Sequence, residues 1–263
     1  MKAKKSLGQN FLVNPGIVEK IISAAELTQK DTVLEIGPGT GVLTQALTKN
    51  AGRVVAIEKD HSLIESLGET FKDNKNVKII EADALEFDPT SYKLHPTSYK
   101  IVANIPYYIT SHLLRKIFSS WPLPTLIILM VQKEVAQRIC AKPGDLNILA
   151  LAVQYHATPS IVAPVSKGSF RPIPKVDSAI LRLVPHEKRK GESEKGKQMF
   201  FDVIRAGFSA KRKKTLSNLI GAFPKQSAVI KNYFEKHRIS PNIRSQDIAL
   251  EIWTGLALVL STL

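Results

Sequence analysis

The sequence contains a single cysteine, Cys140, and no apolar run long enough to cross a membrane. One cysteine cannot form an intrachain disulfide, and it excludes the clustered cysteines of structural zinc sites, so no metal is expected. A membrane helix needs about 20 apolar residues, whereas the apolar runs 125–131 and 148–153 have strand length. Residues 1–8 are basic and polar, which does not fit a secretory signal. These absences predict a soluble, cytoplasmic protein.

Acidic residues are also scarce, with 23 Asp and Glu against 37 Lys and Arg, a formal net charge of +14. The excess is largest near the C-terminus, where residues 186–263 hold 15 Lys and Arg against 7 Asp and Glu. Such a surplus favours a polyanionic partner, because each neutralised phosphate releases a condensed counterion. We therefore expect a nucleic-acid partner. A merely basic soluble protein or one that meets acidic membranes remains the alternative, and charge does not separate DNA from RNA.

Short β-branched runs alternate with longer amphipathic stretches in the first half of the chain. The predicted strands are 32–36, 54–57, 77–80, 101–103 and 126–131, and the helices between them include 42–49, 63–71 and 111–118. This alternation predicts an α/β fold with a doubly wound, mainly parallel sheet. Two later runs, 149–157 and 178–184, are predicted as an antiparallel strand pair that ends the sheet, which makes the sheet mixed.

A polar, charged stretch over residues 185–197 predicts a linker. Beyond it, residues 198–207, 214–222, 227–237 and 247–260 have helical patterns. The chain is therefore predicted to form a large domain over residues 1–185 and a small, basic, helical C-terminal domain over residues 186–263.

The most informative stretch is DTVLEIGPGTGVLT, residues 31–44, in which a strand runs into alternate glycines and then a helix. Gly37, Gly39 and Gly41 let the backbone approach a ligand and adopt positive φ. The spacing is G-x-G-x-G after Glu35, whereas a dinucleotide site has G-x-G-x-x-G. This pattern resembles the first motif of class I methyltransferases, whose sulfonium cofactor has no pyrophosphate. A glycine turn without a ligand is the weaker interpretation, because three alternate glycines cost stability.

Acidic residues follow the next two predicted strands. Glu58, at the end of the second strand, is placed to accept hydrogen bonds from both hydroxyls of a ribose. Asp83, after the third strand, is placed to accept one from an adenine amine. Taken alone, Glu58 would be an exposed strand end and Asp83 a helix cap. Since open α/β sheets bind ligands at the carboxyl ends of their strands, their joint position predicts a cofactor site.

The fourth strand ends in Asn104-Ile105-Pro106-Tyr107, a turn suited to methylating an adenine amine. The Asn104 side-chain carbonyl and the Ile105 backbone carbonyl are each expected to accept one N–H of the amine, which directs its lone pair at the methyl group. Tyr107 is expected to stack on the base, worth ~1–3 kcal/mol. On its own, the alternative of a proline turn with packed tyrosines is equally good.

A second aromatic, Phe170, begins the proline-stiffened segment FRPIPKVDS, residues 170–178. It is a candidate to close the other face of the target base opposite Tyr107. Core packing is the alternative for this residue.

Five motifs together resemble the KsgA/RsmA/Dim1 family of ribosomal RNA adenine dimethyltransferases; they are KSLGQNFL at 5–12, EIGPGTG at 35–41, NIPY at 104–107, VQKEVAQR at 131–138 and the segment 170–178. The resemblance implies S-adenosylmethionine as cofactor and N6,N6-dimethylation of two adjacent adenosines in the 3′-terminal hairpin of small-subunit (16S) ribosomal RNA. It implies that Asn10 and Leu12 contact the cofactor together with Gly37, Gly39, Glu58, Asp83 and Asn104.

Several positions depart from this family's usual pattern. Tyr108 stands where Asn is frequent, Ile105 where Leu is common, and the loop at residues 144–147 lacks the usual Tyr-Gly pair. The basic run Lys211, Arg212, Lys213 and Lys214 lies in a segment one residue longer than usual, and it is predicted to bind RNA phosphates. A solvated helix face is the alternative for that run.

Other functions remain open from the sequence. A large-subunit methyltransferase of the antibiotic-resistance type shares the 170–178 segment, and a DNA adenine methyltransferase shares the Asn-x-Pro-Tyr turn but usually carries a further recognition domain. A ribosome-assembly factor for which methylation is secondary would suit the basic C-terminal domain equally. The expected partner is small-subunit ribosomal RNA or a 30S precursor, bound by a monomer without membrane contact.

Overall fold

The computed structural model describes residues 3–4, 7–186, 193–210 and 212–263, which form two compact units. The first unit comprises Met1–Gln137 and Thr158–Pro185, and the second comprises Arg138–Ala157 and His186–Leu263. Besides the predicted C-terminal part, the second unit thus contains a segment from the middle of the chain. Residues 187–192 of the predicted linker lie outside the described residues, and 194–197 form the first turn of a helix.

The first unit is built on a seven-stranded sheet. Its elements, in chain order, are β1 (Phe11–Leu12), α1 (Pro15–Ala25), β2 (Thr32–Ile36), α2 (Val42–Asn50), β3 (Arg53–Glu58), α3 (His61–Phe71), β4 (Val77–Glu81), β5 (Lys100–Asn104), α4 (Thr110–Ser119), β6 (Leu126–Gln132), α5 (Lys133–Ile139), β7 (Ala157–Val165), β8 (Phe170–Arg171) and β9 (Ser178–Pro185). The strand order is β4-β3-β2-β5-β6-β9-β7, and β1 pairs separately with β8. The five strands predicted between residues 32 and 131 are confirmed.

Strands β2 to β6 run parallel to one another, and β9 lies antiparallel to β6. After β2, the chain adds β3 and β4 on one side of β2, and it then returns to add β5 and β6 on the other side. The direction in which strands are added therefore reverses between β2 and β5. In an open α/β sheet such a reversal opens a crevice at the carboxyl ends of the strands. The predicted site residues Gly37, Gly39, Glu58, Asp83, Asn104, Ile105 and Tyr107 lie where β2, β3, β4 and β5 end, so these seven are at this edge of the sheet.

The sheet is covered by apolar helix faces. Strand β6 is buried from Leu126 to Val131, as expected for a parallel strand with both faces covered. Helix α1 begins at Pro15, and Asn14 caps it by accepting a hydrogen bond of 3.0 Å from the backbone N–H of Gly16. Ile17, Val18 and Ile21 of α1 then pack in the main core.

The second unit consists of helices α6 (Ile148–His156), α7 (Glu194–Gly207), α8 (Thr215–Ala222), α9 (Ser227–Lys236) and α10 (Leu250–Ser261). Its core is rich in aromatic rings, with Tyr155 stacked on Phe200 at 4.1 Å between centroids and Trp253 donating to the backbone oxygen of Ile248 at 3.0 Å. The four predicted C-terminal helices are confirmed. Among the described residues, no helix is long and apolar enough to cross a membrane.

The prediction of a strand over residues 149–157 is wrong, because this run forms α6. The error has a physical reason: a short apolar run does not reveal its period, whereas its Leu and Ala residues favour a helix. Asn147 then caps the helix by accepting a hydrogen bond of 3.1 Å from the N–H of Ala150. The strand begins only at Ala157, as β7.

Candidate active site

A cavity lies at the carboxyl ends of the central strands of the first unit. It is lined by the segment that leads into β1 and by the turns that follow β2, β3, β4 and β5. All the cofactor residues predicted from the sequence line it; they are Asn10, Leu12, Gly37, Gly39, Glu58, Asp83 and Asn104. Of the predicted catalytic residues, Asn104, Ile105 and Tyr107 line it as well.

The turn after β2 requires glycine for both conformation and space. Gly39 and Gly41 have φ of 59° and 82°, which disfavours residues with a Cβ. A Cβ on Gly39 would lie 2.9 Å from Cδ1 of Phe11, and one on Gly41 would lie 2.8 Å from Cε2 of Phe71. These two glycines therefore let β1 and α3 pack closely on the turn, which is a structural role beside any contact with a ligand.

Glu58 is held in place by the backbone at the end of β3. Its carboxylate accepts hydrogen bonds from the N–H of Gly39 at 3.2 Å and of Asp60 at 2.8 Å. Burial raises the pKa of Glu58, although these hydrogen bonds oppose the rise. A carboxylate that accepts two backbone hydrogen bonds still has lone pairs for a further donor, so Glu58 is fixed in position and retains acceptor capacity.

Asp83 is similarly fixed after β4. Its Oδ1 accepts from the N–H of Leu85 at 2.8 Å, and its Oδ2 forms an ion pair of 2.7 Å with Lys59. Burial by itself would raise the pKa of Asp83, but the bonds from Lys59 and Leu85 outweigh it and the pKa is lowered. Lys116 of α4 donates to the backbone oxygen of Leu85 and so ties this loop to the helix that follows β5.

Glu35 is a site residue that is absent from the set predicted to bind the cofactor. It lines the cavity and is 1% exposed, and its Oε2 has no hydrogen-bond partner within the described part of the chain. Burial raises the pKa of Glu35 to about 8; the Thr44 hydroxyl opposes this rise, and the nearby carboxylate of Glu58 adds to it. A buried acceptor of this kind costs free energy unless it meets a donor. The sequence did contain a signal for this residue, because Glu35 is the first residue of the glycine motif EIGPGTG.

The turn after β5 holds the residues predicted to bind the target amine. Asn104 donates from Nδ2 to the backbone oxygen of Asn10 at 3.2 Å, so that Oδ1 is the acceptor end of its amide. The hydroxyl of Tyr107 lies 2.6 Å from Oγ of Ser178, and burial raises the pKa of this phenol. Both side chains are thus oriented by residues distant in sequence.

The segment before β1 is anchored to the N-terminus of α3. Asp60, which caps α3, is 3% exposed and accepts from Lys4 Nζ at 2.6 Å and Gln9 Nε2 at 2.7 Å. Burial alone would raise the pKa of Asp60, but these bonds and those from Ser62 hold it below its usual range. The anchor keeps Asn10 and Leu12 at the cavity wall. Residues 5 and 6 of the motif lie outside the described residues.

Phe170 lies apart from the other predicted catalytic residues. It is fully buried in the main core, and it faces Leu12 in the β1–β8 pair. It is not among the residues that line the cavity. Stacking on a base therefore stays a prediction, and the observed position corresponds to the core-packing alternative.

The predicted phosphate-binding run lies in the second unit, at the start of α8. Arg212, Lys213 and Lys214 are exposed, and Lys211 lies outside the described residues. Thr215, which begins α8, is buried and donates to the backbone oxygen of Ile243 at 3.0 Å. Arg212, Lys213 and Lys214 thus directly precede a helix start that is held by a hydrogen bond, a suitable place for charges that contact phosphates.

Comparison with known proteins links the whole chain to one family. A family model described as "Ribosomal RNA adenine dimethylase" matches residues 1–260. Proteins named "Ribosomal RNA small subunit methyltransferase A" are similar, among them one from Dehalococcoides mccartyi (strain BAV1), 42% identical over 98% of this chain and 88% of its own. Another from Mycoplasmopsis pulmonis is 40% identical over 99% of this chain and 100% of its own.

Two solved structures share the fold over nearly the full length. A dimethyladenosine transferase from Plasmodium falciparum matches with a TM-score of 0.80 and 30% identity, over 96% of this chain and 98% of that one. The 23S rRNA methyltransferase ErmE matches with a TM-score of 0.77 and 26% identity, over 95% and 98% of the two chains.

Proposed function

The chain belongs to the ribosomal RNA adenine dimethylase family, and we propose that it transfers methyl groups from S-adenosylmethionine to N6 of adenosines in small-subunit ribosomal RNA. The observation that carries the chemistry is the orientation of Asn104, whose amide nitrogen is bound to Asn10 while its oxygen is left to accept from an amine. The choice of the small subunit is supported by the names of relatives 40–42% identical to the chain.

The residues that line the cavity fit S-adenosylmethionine. The unpartnered Oε2 of Glu35 suits the ammonium of the methionine part, and that contact would satisfy an otherwise orphaned buried acceptor. Glu58 is fixed for the ribose hydroxyls and Asp83 for the adenine amine. Asn10, Leu12, Gly37 and Gly39 complete the wall. When bound, the cofactor supplies a methyl group on a positively charged sulfur.

Asn104 and Ile105 prepare the target amine for attack. An adenine amine is a weak nucleophile because its lone pair is delocalised into the ring. When Asn104 Oδ1 and the Ile105 carbonyl each accept one N–H, the lone pair is directed out of the ring plane and the charge that develops on nitrogen is stabilised. No strong base is needed, because the alkylated nitrogen is acidic and releases its proton readily. Tyr107, oriented by Ser178, stacks on the base.

The two units divide the work in this proposal. The first unit holds the cofactor and the target base, and the second unit binds RNA phosphates through Lys211, Arg212, Lys213 and Lys214. By the family resemblance, the targets are two adjacent adenosines of the 3′-terminal hairpin, each dimethylated, in a 30S precursor. The protein acts as a cytoplasmic monomer and also supports assembly of the small subunit.

The deciding experiment is methyl transfer from radiolabelled S-adenosylmethionine into small subunits that lack the modification, with nucleoside analysis of the product. Label recovered as N6,N6-dimethyladenosine in small-subunit RNA supports the proposal. Label in large-subunit RNA, tested in parallel, would assign the chain to the activity named for ErmE. Tight subunit binding without label would favour a role in assembly alone.

A further inference from the structure

Tyr108 is the only aromatic residue among the exposed large hydrophobic residues of the described chain. It is 58% exposed, and it lines the mouth of the active-site cavity. It follows Tyr107 directly, in the short 3₁₀ turn Tyr107–Ile109 that continues from Asn104. A single exposed ring is common on protein surfaces, but this ring lies at the cavity beside the residues proposed to hold the target base, where it is accessible to a bound RNA.

The ring of Tyr108 is supported along one edge. A Cβ on Gly8 would lie 3.2 Å from Cδ1 and 3.3 Å from Cε1 of this ring, so the Gly8 backbone packs against that edge. Gly8 in turn is fixed by Asn10, whose Nδ2 donates to its backbone oxygen at 3.1 Å. The support therefore comes from the same segment that orients Asn104, and the residue keeps 58% of its surface exposed to solvent.

Methylation of an adenosine leaves a neighbouring base without a stacking partner, and an exposed aromatic ring can replace that partner. The target base must leave its stack to enter the cavity, and its neighbour in the RNA then loses a stacking partner, which costs free energy. An aromatic side chain beside the cavity offsets this cost, since stacking of a base is worth ~1–3 kcal/mol whatever its identity. In the proposed function Tyr107 stacks on the target base, and its hydroxyl is hydrogen-bonded to Ser178. Tyr108 is the next ring along the turn.

We propose that Tyr108 stacks on the base of the nucleotide that adjoins the target adenosine, so that it positions the RNA for methyl transfer. The inference rests on the proposed function and adds a substrate contact to the same site. If two adjacent adenosines are modified, each of them is the neighbour that stacks on Tyr108 while the other is being methylated. The phenol hydroxyl is not essential to this role, whereas the ring is.

The test compares Tyr108→Phe with Tyr108→Leu, which keeps an apolar side chain but removes the ring. Substrates are small subunits reconstituted with ribosomal RNA that carries either the normal sequence or an abasic nucleotide beside the target, on the 5′ side or on the 3′ side. KM for the subunit is measured by methyl transfer, and the affinity for S-adenosylmethionine by calorimetry. Because Tyr108 is exposed, neither change should unfold the protein.

We expect Tyr108→Leu to raise KM for the normal subunit by ~5- to 150-fold, and Tyr108→Phe to raise it less than threefold. When the abasic nucleotide replaces the base that stacks on Tyr108, Tyr108→Leu should raise KM little further, because the base that the ring contacts is absent. Cofactor affinity should stay within twofold in both variants.

Three results would overturn the inference. The first is a loss of cofactor affinity in Tyr108→Leu as large as the rise in KM, which would place Tyr108 on the cofactor. The second is an unchanged effect of Tyr108→Leu on KM with both abasic substrates, and the third is a rise in KM for Tyr108→Phe as large as for Tyr108→Leu. If the unaltered protein does not methylate small-subunit RNA, the proposed function itself fails. The two failures are therefore distinguishable.

Discussion

Asn104 and Asn10 are joined by a hydrogen bond of 3.2 Å across 94 residues of sequence. The bond links the turn after β5, which we propose binds the target amine, to the N-terminal segment that lines the cavity. Because the donor is Nδ2 of Asn104, the same bond orients the amide for its chemical role. In the proposed function, the segment that contacts the cofactor and the turn that recognises the amine are therefore joined by this hydrogen bond.

Replacement of Asn104 by Ala should lower kcat by ~10²- to 10³-fold, the usual cost of one preorganised polar contact to the reacting group. Binding of the small subunit should persist, because phosphate contacts in the second unit are untouched. Single-turnover methyl transfer and filter binding would measure the two effects. A variant that kept its rate would remove Asn104 from the mechanism, and one that still matured small subunits would show a role in assembly independent of methylation.

Replacement of Glu58 by Ala should raise the dissociation constant for S-adenosylmethionine by ~10- to 150-fold, because a hydrogen bond to a carboxylate is worth ~1.5–3 kcal/mol. Affinity for RNA should change little. Glu58→Gln retains an acceptor oxygen and is the matched control, with a smaller expected loss. Calorimetry with the cofactor and salt-matched RNA binding would be compared. An equal loss of both affinities would contradict the division of labour between the units.

Glu35 should make the stability of the cofactor-free protein depend on pH. Its pKa is about 8 when folded and near its ordinary value when unfolded, so between these values the folded state holds one proton more. The contribution of Glu35 to the free energy of unfolding is therefore greatest at low pH. It declines as the pH rises to about 8, by up to about 1.4 kcal/mol per pH unit.

Urea unfolding of the unaltered protein and of Glu35→Gln at pH 5 to 8 would test this dependence. The free energy of unfolding should decline less with pH in the variant, because Gln does not titrate. Cofactor binding should also be weaker, because Gln lacks the charge that suits the ammonium. Identical pH dependence in the two proteins would mean that Glu35 is not the titrating group.

Replacement of Lys211, Arg212, Lys213 and Lys214 by Ala should weaken RNA binding and reduce its salt dependence. The slope of log K against log salt should fall by ~0.7–0.9 for each phosphate contact removed. Lys225, Lys231 and Lys236 are exposed on the same unit, so their joint replacement by Ala controls for a general loss of positive charge. If both variants lose the same slope, the run is a solvated helix face.

Local sequence patterns predicted the parts of the fold that depend on neighbours in the chain. The bounds of β2 were predicted to the residue, since its apolar run stops at the glycine turn. The placement of Glu58, Asp83 and Asn104 at one cavity followed from the rule that parallel strands present their carboxyl ends together. The helix α6 was missed, because nine mostly apolar residues satisfy either period until the cap at Asn147 is considered.

By itself, the sequence determined the five parallel strands between residues 32 and 131, the glycine turn and the four C-terminal helices, because these depend on local propensity and periodicity. Only the tertiary structure decided what surrounds them. It buried Oε2 of Glu35 without a hydrogen-bond partner among the described residues, set Phe170 into the core opposite Leu12, paired Asp83 with Lys59 and left Tyr108 exposed. Each of these outcomes depends on burial or on a contact between separate elements, and packing fixes such contacts only when the whole unit has folded.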